Sequence, residues 1–275
     1  MNTPAIVVGY DGSSDSELAL SWAEEMATEQ GRPLRVLISA VDPTQVLEVT
    51  GDWHLARITQ IQVDVRDRLV DTRVHDVGVD VVDRPPALAL IEASAHAAAV
   101  VVGARGHGKL SGVLLGSVSQ HVTRHAACPV VVTRQPHHPD ADRVVVGIDG
   151  STGCRQALEF AFDHASRNAL SLTAIHAWRH RAGYRVPGPG IAAEIEWAER
   201  LLSESLAGFA DTYPDVKVVP EAIPVPPQRA LADASQTASL VVVGSRGLGA
   251  FSELLLGSVS QSVLHHAQCP VAVVR

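Results

Sequence analysis

Apolar residues along this chain fall into two patterns. Short valine-rich runs of four to eight residues alternate with longer stretches in which apolar side chains recur every three or four positions. The first pattern predicts buried strands and the second predicts helices with one buried face. In the first half the strands fall at 5–9, 34–41, 77–82, 99–102 and 129–133. Helices fall between them at 15–29 (Leu18, Trp22 and Met26 on one face), 53–74, 86–97 and 118–126. Pro86 sits in the first turn of the third helix, where a missing N–H costs nothing. Strand–helix alternation with continuous apolar strands predicts an α/β fold, a parallel sheet covered on both faces by right-handed crossovers.

The second half repeats the first. Residues 100–134 and 241–275 align without a gap and share roughly 23 of 35 positions, far beyond coincidence. VVGYDGS at 7–13 returns as VVGIDGS at 145–151. The expected organisation is two tandem doubly wound domains, 1–134 and 143–275. The joining segment, 135–142, is polar, contains two prolines and reads as a linker. Its His137 and His138 lack a signposted third ligand and read as solvated residues.

Composition narrows the setting. With 46% hydrophobic and 19% charged residues the chain can build a sizeable core. Three scattered cysteines make no disulfide framework and point to a reducing, cytoplasmic location. No secretory leader or membrane-length apolar run is evident, the most apolar window, 87–103, being broken by Glu92 and His96. A net charge of −8 argues against a nucleic-acid binder.

Open α/β sheets bind ligands outside the carboxyl ends of their strands. Two loops are unusual there. One follows the first strand: Gly9 to Ser13, including Asp11, and Gly147 to Ser151, including Asp149. The other follows the fourth strand. It runs Gly103, Ala104, Arg105, Gly106, His107, Gly108, Lys109 and on to Gly116, Ser117, Val118 and Ser119. Its copy runs Gly244, Ser245, Arg246, Gly247, Leu248, Gly249 and on to Gly257, Ser258, Val259 and Ser260. Glycines admit close approach, successive N–H groups form an anion nest, and a helix start after Gly116 favours phosphate, to which Ser117 and Ser119, with their copies, would add hydroxyl donors and Arg105 and Lys109 charge. A P-loop is excluded, because the hydroxyl after Lys109 is missing and the copy has no lysine. No GxGxxG opens the first helix.

The spacing G-x2-G-x9-G-[ST], present in both halves with GSVS and a closing CPV, resembles that of the universal stress protein family in its tandem, actinobacterial form. The resemblance covers nearly the whole chain. It implies, per domain, a five-stranded parallel sheet of order 3-2-1-4-5, a Rossmann-like arrangement, and one ATP on the glycine motif. It also implies that Asp11 and Asp149 contact the nucleotide, or Mg2+ held by it, and that backbone near Ala40 or Val41 and near Ala177 meets the adenine. Pairing of final strands across domains, and a homodimer, are further implications.

Plainer readings stand beside these. Asp11 and Asp149 fit helix capping, since Asp-Gly-Ser is a good turn and cap sequence. Arg105 and Arg246 fit solvated charges. His125 and His266 fit the negative ends of helix dipoles. Cys128 and Cys269 fit small buried residues. Cys154, near a helix start opposite Ser16, is a weak redox candidate. No repeated Glu, Gln or His stands ready to orient water, as hydrolysis requires. The expectation is therefore a nucleotide-dependent sensor or regulator with an unknown protein partner, not an enzyme, with at most weak hydrolysis. A slow ATPase or phosphotransferase, a binder of another adenine nucleotide such as cyclic AMP, and a ligand-free scaffold are the alternatives. Lys109 has Ala250 opposite it, which predicts tighter ATP binding in the first half.

Overall fold

A computed structural model describes residues 3–41, 52–106, 115–180, 190–248 and 256–275. His107, Gly108, Lys109, Gly249 and Ala250 lie outside the described residues. The chain divides into two compact units, Met1–Arg134 and Gln135–Arg275.

The first unit runs β1 (Ile6–Gly9), α1 (Ser14–Gln30), β2 (Leu34–Ser39), α2 (Asp52–Arg68), β3 (Val77–Val82), α3 (Pro86–Ser94), β4 (Ala99–Gly103), α4 (Ser117–His125) and β5 (Val130–Thr133). The second runs β6 (Arg143–Gly147), α5 (Thr152–Arg167), β7 (Ser171–Ala177), α6 (Ile191–Leu206), the short α7 (Phe209–Thr212), β8 (Val218–Ile223), α8 (Pro227–Ala234), β9 (Leu240–Gly244), α9 (Ser258–His266) and β10 (Val271–Val274). Strand order is β3-β2-β1-β4-β5 in the first unit and β8-β7-β6-β9-β10 in the second, all parallel. The α/β expectation holds. In each unit the order reverses beside the first strand, and this opens a crevice at the carboxyl ends of β1 and β4, or of β6 and β9.

The central strands are buried on both faces because both carry helices. Val100, Val101, Val241 and Val242 are fully excluded from solvent. Such strands have no polar face to alternate, hence the continuous valine runs.

Helix ends differ from the expected ones where local hydrogen bonds stop the helix. The stretch 86–97 ends as helix at Ser94. The buried Ser94 hydroxyl donates to Ile91 O (2.6 Å) and accepts from Ala127 N (2.8 Å). Ser235 repeats this with Ala232 O (2.6 Å) and Gln268 N (2.9 Å). One buried serine per unit thus ties a helix end to the segment entering the last strand. The expected strand 34–41 ends at Ser39, whose hydroxyl accepts from Val41 N and donates to Arg84 O. The expected helix 53–74 spans Asp52–Arg68 and closes in turns around Leu69 and Thr72. The segment 135–142 is not free of contacts, since His137 N donates to Gln268 O (2.9 Å) in the second unit. No helix among the described residues is long and apolar enough to cross a membrane.

Helix α1 closes on Gly31 at φ 60°, with Arg32 N bonded to Ala27 O. Helix α5 closes alike, with Leu170 N on Ala165 O, but its left-handed residue is Ala169 at φ 53°. A Cβ there costs about 1 kcal/mol. Ala169→Gly is therefore expected to stabilise the second unit by roughly that amount in urea denaturation.

His164 on α5 is pushed down to about 4 by burial, against an upward pull from Asp163. Since its ordinary value is 6.5, the unfolded chain protonates first as pH falls. This residue's contribution is complete above pH 6.5 and lost progressively towards pH 4. At full size the loss is up to about 3 kcal/mol. His164→Met, matching Met26 at the same place in α1, is expected to flatten the stability profile across that interval.

Candidate functional site

Each crevice is floored by the loop after the first strand and walled by the loop after the fourth. The first loop is an Asx turn. Asp11 Oδ1 accepts from Ser13 N (3.0 Å), and Asp149 Oδ1 accepts from Ser151 N (3.0 Å) and the Ser151 hydroxyl (2.6 Å). Gly12 and Gly150 turn the chain at φ 80° and 78°. The helix-capping expectation for the aspartates is corrected here. The N-caps are Ser13, whose hydroxyl accepts from Ser16 N (3.2 Å), and Ser151. The aspartates shape the turn that precedes the cap.

Their other oxygen faces the second loop. Asp149 Oδ2 accepts from Leu248 N (3.2 Å), and its oxygen lies where a Cβ on Gly247 would stand. In the first unit Asp11 Oδ2 stands 2.7 Å from the place of a Cβ on Gly106. The second glycine of each motif is thus a clearance for a carboxylate. The first glycine clears backbone instead, a Cβ on Gly103 meeting the Asp15 carbonyl at 2.7 Å.

The rest of the second loop is held from inside. Ala104 N donates to Thr133 O (2.8 Å) and its carbonyl accepts from Gly116 N (2.7 Å). Ser245 does the same with Val274 O and Gly257 N. The Ser119 hydroxyl donates to Ala104 O (3.0 Å) or Gly116 O (2.9 Å), and that of Ser260 to Gly244 O (2.6 Å). Ser119 and Ser260 are buried and spend their protons on the loop, so the expectation that they offer hydroxyl donors to a phosphate is corrected. Ala104 and Ser245 likewise act as staples. Ser117 and Ser258, one position inside their helices, are exposed.

Helices α4 and α9 begin at Gly116 and Gly257 with no side-chain cap. A nine-residue helix leaves its first N–H groups unpaired, and these face outward with the positive end of the dipole. In the second unit they open onto a cavity of about 520 Å³, within the size range of small-molecule sites. Gly147, Asp149, Arg246, Gly247 and Ser258 contribute glycine backbone and polar side chains to its lining. Ile148, Ile175, Ala177, Pro227, Leu231 and Val243 form an apolar wall. Gly9 and Gly147 floor the two crevices, where Leu90 and Leu231 press on them from α3 and α8. Cys154 also lines the cavity, with its thiol pushed up by burial, which removes the low-pKa environment a redox role needs.

Sequence alignment placed Ala40 and Ala177 at matching sites, and the strands show otherwise. Ser39 pairs with Val82 as Ala177 pairs with Ile223. Ala40, whose N–H donates to Val82 O (2.8 Å), therefore matches Trp178, and Val41 follows one residue beyond. Besides the apolar wall, two residues that hold the second loop were missed from sequence. Asp15 binds Arg105 through both its N–H (3.0 Å) and its Nε (3.2 Å). Leu248, the unremarkable replacement of His107, supplies the N–H that holds Asp149. The acidic residue in the first turn of α1 was the available signal for Asp15. None existed for Leu248, because any residue has that N–H.

Removing the clearance at Gly247 tests this construction. Gly247→Ala is expected to cost about 1–3 kcal/mol, because the Asp149 carboxylate must leave Leu248 N. Gly153→Ala, whose Cβ would meet nothing nearer than 3.5 Å, is expected to be stabilising by about 0.5–1 kcal/mol in the same thermal melts.

The profile of the universal stress protein family matches residues 3–134 and again 141–275. Universal stress protein Rv2005c of Mycobacterium tuberculosis is 37% identical over 284 residues, covering 98% of this chain and 96% of that one. A universal stress protein of Mycolicibacterium smegmatis is 38% identical over 284 residues with the same coverage. Among solved structures, a universal stress protein from Archaeoglobus fulgidus superposes with a TM-score of 0.68 at 23% identity, covering 100% of this chain and 97% of that one, a likeness of fold. With both halves matched and the relatives aligned nearly end to end, the chain belongs to the universal stress protein family, in its tandem two-domain form.

Proposed function

We propose that each domain binds one ATP and that the nucleotide-loaded chain acts in stress physiology as a sensor or regulator, engaging a protein partner, and not as an enzyme. The observation that carries this reading is the cavity at β6, β7 and β9, which combines apolar side chains with an uncapped helix start, Arg246 and glycine backbone. An adenine suits the apolar wall. A phosphate chain suits free N–H groups at a helix dipole's positive end. Both halves keep the glycines and serines of the motif, which favours a polyphosphate over a cyclic monophosphate.

The same lining supports retention over turnover. Among its described residues, the acid–base candidates are Asp149 and Cys154. Both Asp149 oxygens already accept backbone hydrogen bonds, and the Cys154 thiol is held protonated by burial. These engagements favour a binding role over that of a base orienting water for in-line attack on a phosphoryl group. Magnesium fits only as a companion of the nucleotide. It takes one or two carboxylates and completes its shell with phosphate oxygens and water. Asp149, or Asp11 in the first unit, would supply one oxygen. Among the described residues no group of three His, Cys, Asp or Glu could hold a metal alone. A cytoplasmic homodimer is part of the same proposal.

The test is to denature the purified protein and identify the small molecule released. ATP at about two per chain is the expected result for two retentive sites. ADP in its place would favour slow hydrolysis, and single-turnover assays on Asp149→Ala would then locate it. Release of cyclic AMP, or its displacement of ATP in competition, would overturn ATP as the ligand. Nothing released and nothing bound in titration would overturn nucleotide binding altogether. Asp149→Ala is expected to weaken ATP binding about tenfold or more by freeing the second loop.

A further inference from the structure

The two crevices are built on one plan but differ, among the described residues, at a charged position beside the arginine of the second loop. In both units the second loop lies directly on the first turn of the helix after the first strand. A Cβ on Gly103 would strike the Asp15 carbonyl, and one on Gly244 would lie 3.3 Å from the Gly153 carbonyl. Asp15 and Gly153 therefore occupy the same place. In the first unit the Asp15 side chain, 12% exposed, draws in both the Arg105 N–H (3.0 Å) and Nε (3.2 Å). In the second unit Gly153 offers no carboxylate, and Arg246 has no ion pair among the described residues while it lines the cavity.

We propose that Asp15 is a specificity-determining residue that makes the two sites inequivalent: the second site favours the triphosphate, and the first discriminates against each added phosphate charge. This rests on the nucleotide reading above and deepens it. An anion entering the first site meets an arginine whose charge is already matched and one N–H already spent. It also meets the carboxylate itself, which repels it. In the second site the corresponding guanidinium and N–H remain available to the ligand. The Arg105 side chain is 63% exposed, so water screens the pair and the discrimination is moderate. The sequence expectation of tighter ATP binding in the first half rested on Lys109 and did not include Asp15. The proposal concerns the Asp15 carboxylate, whatever cation lies further along the loop.

The structure permits a transplant. The nearest atoms to a Cβ on Gly153 are Arg246 O at 3.5 Å and Ser151 Oγ at 4.0 Å, ordinary contact distances for a Cβ. Aspartate in a first helical turn is also favourable to the helix. With the first site disabled by Gly106→Val, calorimetric titration of the second site with ATP, ADP and AMP gives an affinity ratio of ATP to AMP. Gly153→Asp is expected to lower that ratio by about three- to tenfold, and Gly153→Asn to leave it unchanged. In the Gly247→Val background, Asp15→Asn is expected to raise the first site's ratio by a similar factor. Should Gly106→Val or Gly247→Val fail to fold, the single variants in the otherwise intact chain report the same shifts in one of two binding steps. Ratios that do not respond to Gly153→Asp and Asp15→Asn, with nucleotide still bound, would overturn the role of Asp15 and leave the nucleotide reading standing. No binding of any of the three nucleotides to the unaltered chain would overturn both.

Discussion

Everything at the mouth of each sheet depends on a carboxylate pressed against a glycine. Asp149 grips its own turn with one oxygen and the neighbouring loop with the other, and Asp11 likewise stands where a Cβ on Gly106 would not fit. The two loops come from strands that are adjacent in the sheet yet about 95 residues apart in the chain. A residue larger than glycine would force the two loops apart. A carboxylate is a stronger acceptor than a neutral group, and one that takes an N–H from each loop ties their spacing together.

Around that joint the polar groups are divided by direction. Ser119, Ser260, Ala104 and Ser245 turn inward and hold the loop to itself and to the last strand. Ser117, Ser258 and the leading N–H groups of α4 and α9 turn outward. The inward set is paired and buried. The outward set, by helix geometry, has no partner within the helix. Rigidity and recognition are thereby assigned to different atoms of the same short segment.

The fold was legible in the sequence because its signals are repetitive and long: valine runs for central strands, helical spacing between them, and two copies of each. The site was legible as glycines and an aspartate in loops at the right ends of strands. What escaped was the reason for each residue. Gly106 reads as a flexible turn, whereas in the fold it is a space left for Asp11. Ser119 reads as a donor, whereas its proton is spent on Ala104 O. Ala40 and Ala177 read as partners, though β2 and β7 pair one residue differently. Each of these depends on a contact between segments distant in sequence, which periodicity and spacing do not encode. Helix ends escaped for the same reason, Ser94 being claimed by Ala127 from across the domain.

The inward-turned serines have a consequence for how such a protein ages under mutation. Because glycine loops and a helix start line so much of the cavity, much of its chemistry is carried by atoms every residue possesses. Substitutions that alter outward side chains leave those atoms in place, as Leu248 does where the first copy has His107. The vulnerable positions are the few where even a methyl group will not fit. A lineage of these domains can thus drift widely in surface identity while inheriting an almost unaltered mould.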